Sequence, residues 1–190
     1  MRENTEIIPL TSQNWPDLET LFGEHGASGG CWCMWFRLTN AEFESRRGDG
    51  NRHALKKIVD DGNVPGLVAY VDGVPAGWVS VAPRAEFTRL ARSSVTKAVD
   101  ELSVWSVVCF YIAKPYRKQD LSTTLLKAAV DYARQQGANI VEGYPVDTAE
   151  GVVSDAGAYH GTMSAFEKVG FTEVARRSKG RPVMRYWINS

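Results

Sequence analysis

The amino-acid sequence predicts an α+β (α/β) fold, in which a mixed, mostly antiparallel sheet of about seven strands is flanked by helices. Helical and strand patterns are interleaved along the chain, which favours a layered arrangement. Asp72-Gly73 lies between two apolar runs and predicts a hairpin, because Asp-Gly tolerates the positive φ angles of a tight primed turn. The β-branched and aromatic run over 104–112 is typical of a strand buried on both faces. We expect one domain over residues 1–190.

Each element is predicted from its own periodicity and turn signals. Asn14 is expected to cap the first helix, and Gly137 and Gly170 are expected to end later ones. The polar stretch 85–100 is expected to be helical and to form a mobile cover. The predicted strands cover residues 5–10, 66–71, 76–81, 104–112, 140–146, 171–177 and 182–188. The other predicted helices cover residues 15–22, 40–61 with a break near 48–50, a segment between Pro115 and Gly137, and 162–169.

The composition favours a cytoplasmic protein with neither a nucleic-acid nor a membrane partner. The 22 Lys and Arg residues balance the 22 Asp and Glu residues, so no net positive field favours nucleic acid. No apolar run reaches the roughly 18 residues that cross a bilayer. The polar N-terminus does not resemble a secretory signal. The odd number of cysteines, 3, favours a reducing compartment.

The junction between the central strand and the helix that follows it carries the functional signal. A basic loop, Lys114 to Asp120, leads from the strand into the helix. The first amides of a helix have no intrahelical acceptor. Together with the helix dipole and the charges of Lys114, Arg117 and Lys118, they favour an anion such as a pyrophosphate. The alternative interpretation is a capped helix behind a solvated basic turn.

This junction resembles the phosphate-binding motif of the GNAT acetyltransferase superfamily, Q/R-x-x-G-x-G/A. Arg117 matches the first position, whereas Asp120 and Ser122 stand at the two glycine positions. Aspartate tolerates the left-handed backbone that glycine supplies. Its charge would repel a pyrophosphate unless the side chain turns away, and a carboxylate that capped the helix would compete for the same amides. Three further segments resemble parts of the family in the same order: 71–79, 166–171 and 181–184.

The resemblance implies a three-layer GNAT-like fold, whose sheet splays open between its fourth and fifth strands to admit the pantetheine arm of coenzyme A. It implies an acetyltransferase that moves an acetyl group from acetyl-CoA to an amine acceptor by direct attack in a ternary complex. The coenzyme is expected to contact the following residues: Cys109, Phe110, Tyr111, Ile112, Arg117, Lys118, Gln119, Asp120, Leu121, Ser122 and Thr123.

Acetyl transfer to an amine needs a base for the amine and hydrogen-bond donors for the thioester carbonyl. Backbone amides around 108–111 are expected to polarise the carbonyl. Glu142 is the favoured base, with Asp147 and Glu101 as other candidates. The alternative interpretation of Glu142 is a solvent-facing carboxylate beside the sheet.

The departing thiolate also needs a proton. In the family, a tyrosine often precedes the Lys-x-Gly-Phe segment and supplies it, but this chain has Phe166 there. Tyr159 and His160 lie one to two helical turns upstream and are expected to replace it, Tyr159 as an acid and His160 as an acid or a base. The alternative interpretation of His160 is a loop histidine that is bonded to the backbone.

Acceptor recognition is expected in the segment Cys31 to Arg37, after a glycine-rich loop. Trp32, Trp35 and Phe36 would form an aromatic wall, and Arg37 would hold a carboxylate. The alternative is that these aromatic side chains pack the first helices on the sheet. The acceptor would be a small-molecule or peptide amine, and a homodimer could form through the C-terminal hairpin.

The cysteines raise a separate question. Cys31 and Cys33, together with His25 and His53, invite a zinc site, but their spacing differs from the usual pairs, and no metal is expected. Cys109 is expected to be an inert core thiol.

Two other functions stay open. One is a non-catalytic acyl-CoA-binding sensor or interaction module on the same fold, which Asp120, Ser122 and Phe166 favour. The other is a redox or metal protein built on Cys31 and Cys33.

Overall fold

A seven-stranded sheet forms the centre of the structure, a computed structural model that describes residues 4–150 and 159–188. The strands are β1 (Thr5–Pro9), β2 (Gly66–Val71), β3 (Val74–Pro83), β4 (Trp105–Ile112), β5 (Ile140–Gly143), β6 (Thr172–Arg176) and β7 (Pro182–Trp187). The helices are α1 (Trp15–Phe22), α2 (Asn40–Ser45), α3 (Asp49–Asp60), α4 (Thr88–Arg92), α5 (Leu121–Gln135) and α6 (Met163–Val169).

The sheet is open and mixed, with the strand order β1-β2-β3-β4-β5-β7-β6. Every neighbouring pair is antiparallel except β4 and β5, which run parallel. The predicted fold class is therefore confirmed. Asp72 and Gly73 have φ angles of 52° and 76°, so the β2–β3 hairpin closes through the expected turn with two positive φ angles.

Helices cover both faces of the sheet and make three layers. Helix α5 packs against β2, β3 and β4, and α6 packs against α5. Helices α1 to α3 pack on the opposite face. The alternation of side chains along β3 shows the two layers, because Trp78 belongs to the α1–α3 core, Val79 belongs to the α5 core, and both are completely buried.

A β-bulge interrupts the pairing of β3 with β4. Ser80 lies opposite Cys109 and Val81 lies opposite Val107, which leaves Val108 as an extra residue in β4. Val108 and Cys109 both contact the apolar cluster around Phe36, so the two consecutive side chains share one face. A bulge bends its strand and increases the local twist. The bend occurs where β4 stops pairing with β5, after Val107.

The stretch expected to be a helical, mobile cover is mostly irregular. Only a short 3₁₀ turn (Arg84–Glu86) and α4 are helical there. The segment after α4 is tied down, because Arg84 Nη2 donates to the Thr96 carbonyl at 2.7 Å and Arg177 Nη1 donates to the Lys97 carbonyl at 2.6 Å.

Smaller differences concern element ends. Asn14 occupies the N-cap position of α1, but its carboxamide oxygen accepts the Thr11 amide at 2.7 Å instead of a helix amide. Gly170 ends α6 with φ 105°, as expected. Across residues 4–150 and 159–188, none of the helices combines the length and the apolar character needed to cross a bilayer.

Candidate active site

A gap opens between β4 and β5. The strands pair from Trp105–Val141 to Val107–Gly143 and then diverge. The segment 159–161 lies along the gap: the Phe110 amide donates to the Tyr159 carbonyl at 2.6 Å, and the Val146 amide donates to the Gly161 carbonyl at 2.9 Å. The amide of Phe110, one of the expected donors to a thioester carbonyl, is thus engaged by the chain itself.

The loop before α5 forms a cradle of backbone amides. Lys118 and Asp120 both have left-handed backbones, with φ angles of 60° and 58°. Thr124 is the first residue of α5 whose amide meets a helical acceptor, the Asp120 carbonyl at 3.1 Å. The amides of the first turn, 121–123, therefore point out of the helix end with no intrahelical partner. Such an end attracts anions.

Asp120 takes the conformation that glycine would supply in this loop. Its side chain does not cap α5. The carboxylate is 80% exposed and lies 3.6 Å from Lys168 Nζ, so it points away from the amides. This geometry removes the competition between the Asp120 carboxylate and an anion at the helix end.

The rest of the loop is anchored to the end of β4. Arg117 Nε donates to the Ile112 carbonyl at 3.0 Å, and Gln119 Nε2 donates to the Pro115 carbonyl at 2.9 Å. Ser122 and Thr123, in the first turn of α5, are half-buried. The loop and the C-terminal half of β4, which together hold the expected coenzyme contacts, are therefore contiguous.

On the opposite face of the sheet, beneath α1 and α2, lies a cavity of about 390 Å³, here called the apolar cavity. Aromatic side chains supply most of its wall, and Cys109 and Tyr111 of β4 form its floor. The aromatic wall consists of Phe22, Trp35, Phe36, Phe43, Trp78 and Tyr159. An apolar group bound here would lie against β4 on the side away from α5.

Three thiols also line the apolar cavity: Cys31, Cys33 and Cys109. Hydrogen bonding from Cys109 and from the Trp78 indole lowers the pKa of the Cys33 thiol. The Trp78 Nε1 to Cys33 Sγ distance is 3.2 Å. The hydrogen bond to Cys33, together with burial, raises the pKa of Cys109, and burial raises that of Cys31 to about 11. Cys109 is thus a half-buried cavity residue rather than a fully enclosed core thiol. In the part of the chain that the structure describes, no three or more His, Cys, Asp or Glu side chains are arranged so that they could hold a metal ion.

His160 and Tyr159 both reach the apolar cavity. His160 Nδ1 lies 3.2 Å from the Val108 carbonyl. Since a carbonyl only accepts, Nδ1 carries the proton and Nε2 keeps its lone pair. Burial, and then the charge of Arg181, lowers the pKa of His160 to about 4. The Tyr159 ring stacks parallel to Tyr111, with 6.5 Å between ring centroids.

Glu142 differs from the free base that the sequence led us to expect. It is completely buried in β5, and it lines neither the apolar cavity nor the neighbouring one described below. Its carboxylate accepts hydrogen bonds from Arg185 Nε at 2.8 Å, from Arg84 Nη1 at 3.1 Å and from the Tyr144 hydroxyl at 2.7 Å. A carboxylate with these partners serves an internal ion-pair network.

The other two base candidates are not placed at the cavity either. Asp147 pairs with Arg176 at 2.8 Å, and that hydrogen bond lowers the pKa of Asp147. Glu101 is exposed.

Of the three residues expected to bind the acceptor, Trp35 lines the apolar cavity, whereas Trp32 and Arg37 do not. Trp32 is buried and stacks on Trp15 at 6.1 Å. Arg37 holds a carboxylate of the protein itself, because its Nη1 lies 2.6 Å from Glu86. Its side chain is only 5% exposed. Both residues therefore pack the structure instead of facing an acceptor.

A second cavity, of about 700 Å³, adjoins the first and is here called the cationic cavity. Trp35, Phe36 and His160 line both cavities. Arg89, Arg92 and Arg181 line only the cationic cavity. The sequence analysis did not propose these arginines as site residues. Two come from α4, and Arg181 was noted only as the first residue of the segment 181–184, which resembles a strand of the family.

Comparisons with known proteins agree with this architecture. The model of the acetyltransferase (GNAT) family matches residues 32–149, more than half of the chain. Among curated proteins, none matches the chain.

Solved structures with similar folds include three acetyltransferases. PaiA N-acetyltransferase from Thermoplasma acidophilum, in complex with coenzyme A, is 16% identical with a TM-score of 0.54, covering 97% of this chain and 99% of that one. A GNAT-family acetyltransferase from Listeria monocytogenes is 10% identical with a TM-score of 0.59, covering 97% and 95%. YncA from Salmonella typhimurium, a putative acetyltransferase with acetyl-CoA, is 15% identical with a TM-score of 0.55, covering 98% and 95%. Because the family model spans most of the sheet and the strand-to-helix junction, this chain belongs to the GNAT acetyltransferase family.

Proposed function

We propose that the protein transfers an acetyl group from acetyl-CoA to the amine of a small-molecule or peptide acceptor, by direct attack in a ternary complex. The three unpaired cysteines fit a reducing compartment, so we place the reaction in the cytoplasm. The proposal needs no metal, nucleic acid or membrane, and it is compatible with a homodimer.

The observation that carries the proposal is the amide cradle at the start of α5. Two left-handed residues, Lys118 and Asp120, turn the loop so that the amides of the first turn face outward. The carboxylate of Asp120 is 80% exposed and lies near Lys168, so it leaves that end free for the diphosphate of the coenzyme. PaiA N-acetyltransferase and YncA, whose folds are similar, are described with coenzyme A and acetyl-CoA respectively, which supports the proposal.

The two faces of β4 separate the substrates. Helix α5 and its cradle lie on one face of the sheet, and the apolar cavity lies on the other. A pantetheine arm in the gap beside β4 would bring the thioester to the residues that floor the cavity, Cys109 and Tyr111. An acceptor in the cavity would approach the thioester from the opposite side.

The chemistry then needs one bond to form and one to break. The amine nitrogen attacks the thioester carbon, the C–N bond forms, and the C–S bond breaks. The amine attacks in its neutral form, and His160 Nε2 accepts the proton that the nitrogen loses as the C–N bond forms. The lone pair of Nε2 is available at pH 7, because burial and the charge of Arg181 lower the pKa of His160 to about 4. We assign the Tyr159 hydroxyl as the group that gives a proton to the coenzyme A thiolate. Glu142 is not used, because its carboxylate is held by Arg84 and Arg185.

A non-catalytic acyl-CoA-binding module is the second candidate. Two observations favour it: Phe166 is completely buried and has no hydroxyl, and the Phe110 amide is engaged by the Tyr159 carbonyl. Acetyl-CoA binding without turnover of any amine in a broad panel would favour this candidate over the enzyme.

Calorimetric titration with acetyl-CoA tests whether the protein binds the coenzyme, which both candidate functions require. We expect binding in the micromolar range for the unmodified protein. Ser122→Glu should weaken it by more than about tenfold, because a carboxylate in the first turn repels the diphosphate. The substitution should not unfold α5, since an acidic residue in the first turn suits the helix dipole.

The control makes the same charge change at Ser94, which is exposed in the loop after α4. Ser94→Glu should bind acetyl-CoA as the unmodified protein does. If the unmodified protein bound none at millimolar coenzyme, both candidate functions would be wrong, and the loop would only begin a helix.

A further inference from the structure

The cationic cavity has an unbalanced charge. Arg89, Arg92 and Arg181 line it, and none of its described lining residues is Asp or Glu. The chain as a whole carries equal numbers of acidic and basic residues. A local excess of three guanidinium groups in a concave site attracts anions.

Two of these arginines make no side-chain hydrogen bond or ion pair with residues 4–149 and 159–188. Neither the Arg92 nor the Arg181 guanidinium makes a hydrogen bond or an ion pair there, whereas other arginines of the chain, such as Arg37 with Glu86, do. Burial lowers the pKa of Arg181, which means that its charge is partly desolvated without a counterion. For Arg181 a ligand anion would supply that counterion, whereas Arg92 is exposed to solvent and interacts electrostatically with Glu42.

Arg89 has a different part in the cavity. It stacks on Trp35, with its guanidinium carbon 3.6 Å from the ring centroid. Its Nε donates to the Trp35 carbonyl at 2.5 Å and its Nη2 donates to the Leu38 carbonyl at 3.3 Å. These bonds fix the wall that the two cavities share, and they do not neutralise the charge.

The rim beyond α4 is also held in place. Thr96 Oγ1 donates to the Leu90 carbonyl at 3.1 Å, and Arg84 Nη2 donates to the Thr96 carbonyl at 2.7 Å. The cationic cavity is therefore a built site and not a gap beside a loose loop.

The two cavities meet at His160. Its ring lines both, and its Nε2 keeps a lone pair because Nδ1 faces the Val108 carbonyl. A molecule with its amine near His160 could place an apolar part against Phe22 and Trp78 and reach the arginines with another part. The α5 cradle lies on the other face of the sheet, so the phosphates of coenzyme A would not occupy the arginines.

We propose that the acceptor is an amphiphilic amine that carries an oxyanion, a carboxylate or a phosphate-type group, bound by Arg181 and Arg92, with its apolar body in the apolar cavity. The proposal names the substrate class of the site described under the proposed function and rests on that function. It explains why a chain with balanced charge concentrates three arginines beside an aromatic cavity.

Matched amines test it. The first set is phenylalanine, its methyl ester and 2-phenylethylamine, and the second is leucine, its methyl ester and 3-methylbutylamine. The members of each set share an apolar body, but only the amino acid carries an anionic group. The phosphonate analogue of phenylalanine separates a carboxylate from a phosphate-type preference. In an acetylation assay we expect the anionic member of at least one set to have a KM about tenfold or more below its neutral partners.

Arginine variants then localise the effect. Arg181→Gln and Arg92→Gln should each raise KM for the anionic amine about tenfold, and Arg92→Gln, which alters none of the groups that set the pKa of His160, should leave kcat/KM for the neutral amine within about twofold. The control, Arg134→Gln, removes the same charge from an exposed position on α5, where Arg134 pairs with Asp131. It should change neither value. Equal use of anionic and neutral amines in every set, or equal losses for both kinds of amine in Arg92→Gln, would overturn the proposal.

A binding measurement separates this inference from the proposed function. Calorimetry with phenylalanine and its phosphonate analogue, without acetyl-CoA, needs no turnover. Anion-dependent binding that Arg181→Gln abolishes would support the oxyanion subsite even if no amine were acetylated. Turnover of neutral amines alone, with no binding of the anionic probes, would refute the subsite and leave the acetyltransferase function standing.

Discussion

His160 is the residue whose surroundings most directly set its chemistry. Its ring is held by the Val108 carbonyl and packs edge-on against Phe36, with 5.6 Å between centroids. Burial is the main cause of its lowered pKa, and the charge of Arg181 is the second. An imidazole in these surroundings is neutral throughout the physiological pH range, and its pKa depends on whether an anion is bound to Arg181.

The pKa of His160 should therefore respond to Arg181. In the unmodified protein we expect the imidazole to titrate near pH 4, as burial and Arg181 dictate. Arg181→Gln should raise the pKa, because a positive charge that disfavours the imidazolium is removed. NMR titration of the ring signals measures both values. The exposed variant Arg134→Gln is the control, and an unchanged pKa in Arg181→Gln would contradict the assigned cause.

The same pKa makes folding stability depend on pH. Since the folded value of about 4, set by burial and Arg181, lies below the ordinary 6.5, the unfolded chain binds more protons between these values. Stability should be unaffected above about pH 7 and should fall as the pH drops from 6.5 towards 4. His160→Gln should remove roughly 1–3 kcal/mol of this fall. Urea unfolding at a series of pH values measures it, and parallel curves for the two proteins would refute it.

Substitutions of Glu142 distinguish a structural role of this residue from a catalytic one. Glu142→Ala would leave Arg84 without its carboxylate and Arg185 with Asp100 alone, so we expect a loss of roughly 3 kcal/mol in the free energy of unfolding. Glu44→Ala breaks an exposed pair with Arg47 and should cost less than about 1 kcal/mol. Denaturant unfolding compares the two. If Glu142→Gln folded normally and lost its acetyl-transfer rate, the base that we first considered would be restored.

At the scale of the elements, the end of β5 and the start of α6 are fitted to each other. A Cβ on Gly143 would come within 2.1 Å of Phe166 Cε1, so only glycine allows the α6 ring to lie against the last paired residue of β5. Phe166 also packs edge-on against Phe110 of β4. Phe166, which has no hydroxyl, is thus part of the core that packs beside the gap between β4 and β5.

Gly143→Ala should destabilise the fold by about 1–3 kcal/mol, because the Phe166 ring must move to admit the methyl group. In a Phe166→Leu background the same change should cost less, since the smaller side chain leaves room. Gly180→Ala is the control, because a Cβ there meets nothing within 4 Å. Thermal or denaturant unfolding of the four variants measures the coupling, and strictly additive losses would show that the contact is not the cause.

At the scale of the whole molecule, the sheet connects the two sites. The α5 cradle is joined to β4 through Arg117, and β4 forms the floor of the apolar cavity. A coenzyme bound along β4 would therefore stabilise the central strands and the helix together.

Acetyl-CoA should raise the melting temperature of the whole chain. At a free concentration of about 100 times Kd, the expected gain is about 2.7 kcal/mol. For a chain of this size that corresponds to roughly 5–10 °C. Differential scanning fluorimetry measures it, and at the same coenzyme concentration Ser122→Glu should show a shift about half as large or smaller. A comparable shift in that variant would place the coenzyme away from α5.

Local signals in the sequence determined most of the elements. The Asp72-Gly73 turn, the glycine after α6 and the apolar run of β4 each act through neighbours along the chain, so hairpin, helix end and buried strand could be predicted. The family motif led to the loop before α5 and to its unusual Asp120, since the motif consists of residues that are close together along the chain.

Only the tertiary structure decided which side chains meet. Glu142 pairs with Arg185, and Arg37 pairs with Glu86, although the partners are far apart along the chain. The sequence had suggested Glu142 as a base and Arg37 as a binder of the acceptor's carboxylate, but both side chains form internal ion pairs. The cationic cavity is lined by side chains from α4, from the segment 159–161 and from Arg181, which directly precedes β7. No spacing along the chain reveals such a cluster, because the positions of its side chains follow from the packing of the whole sheet and its helices.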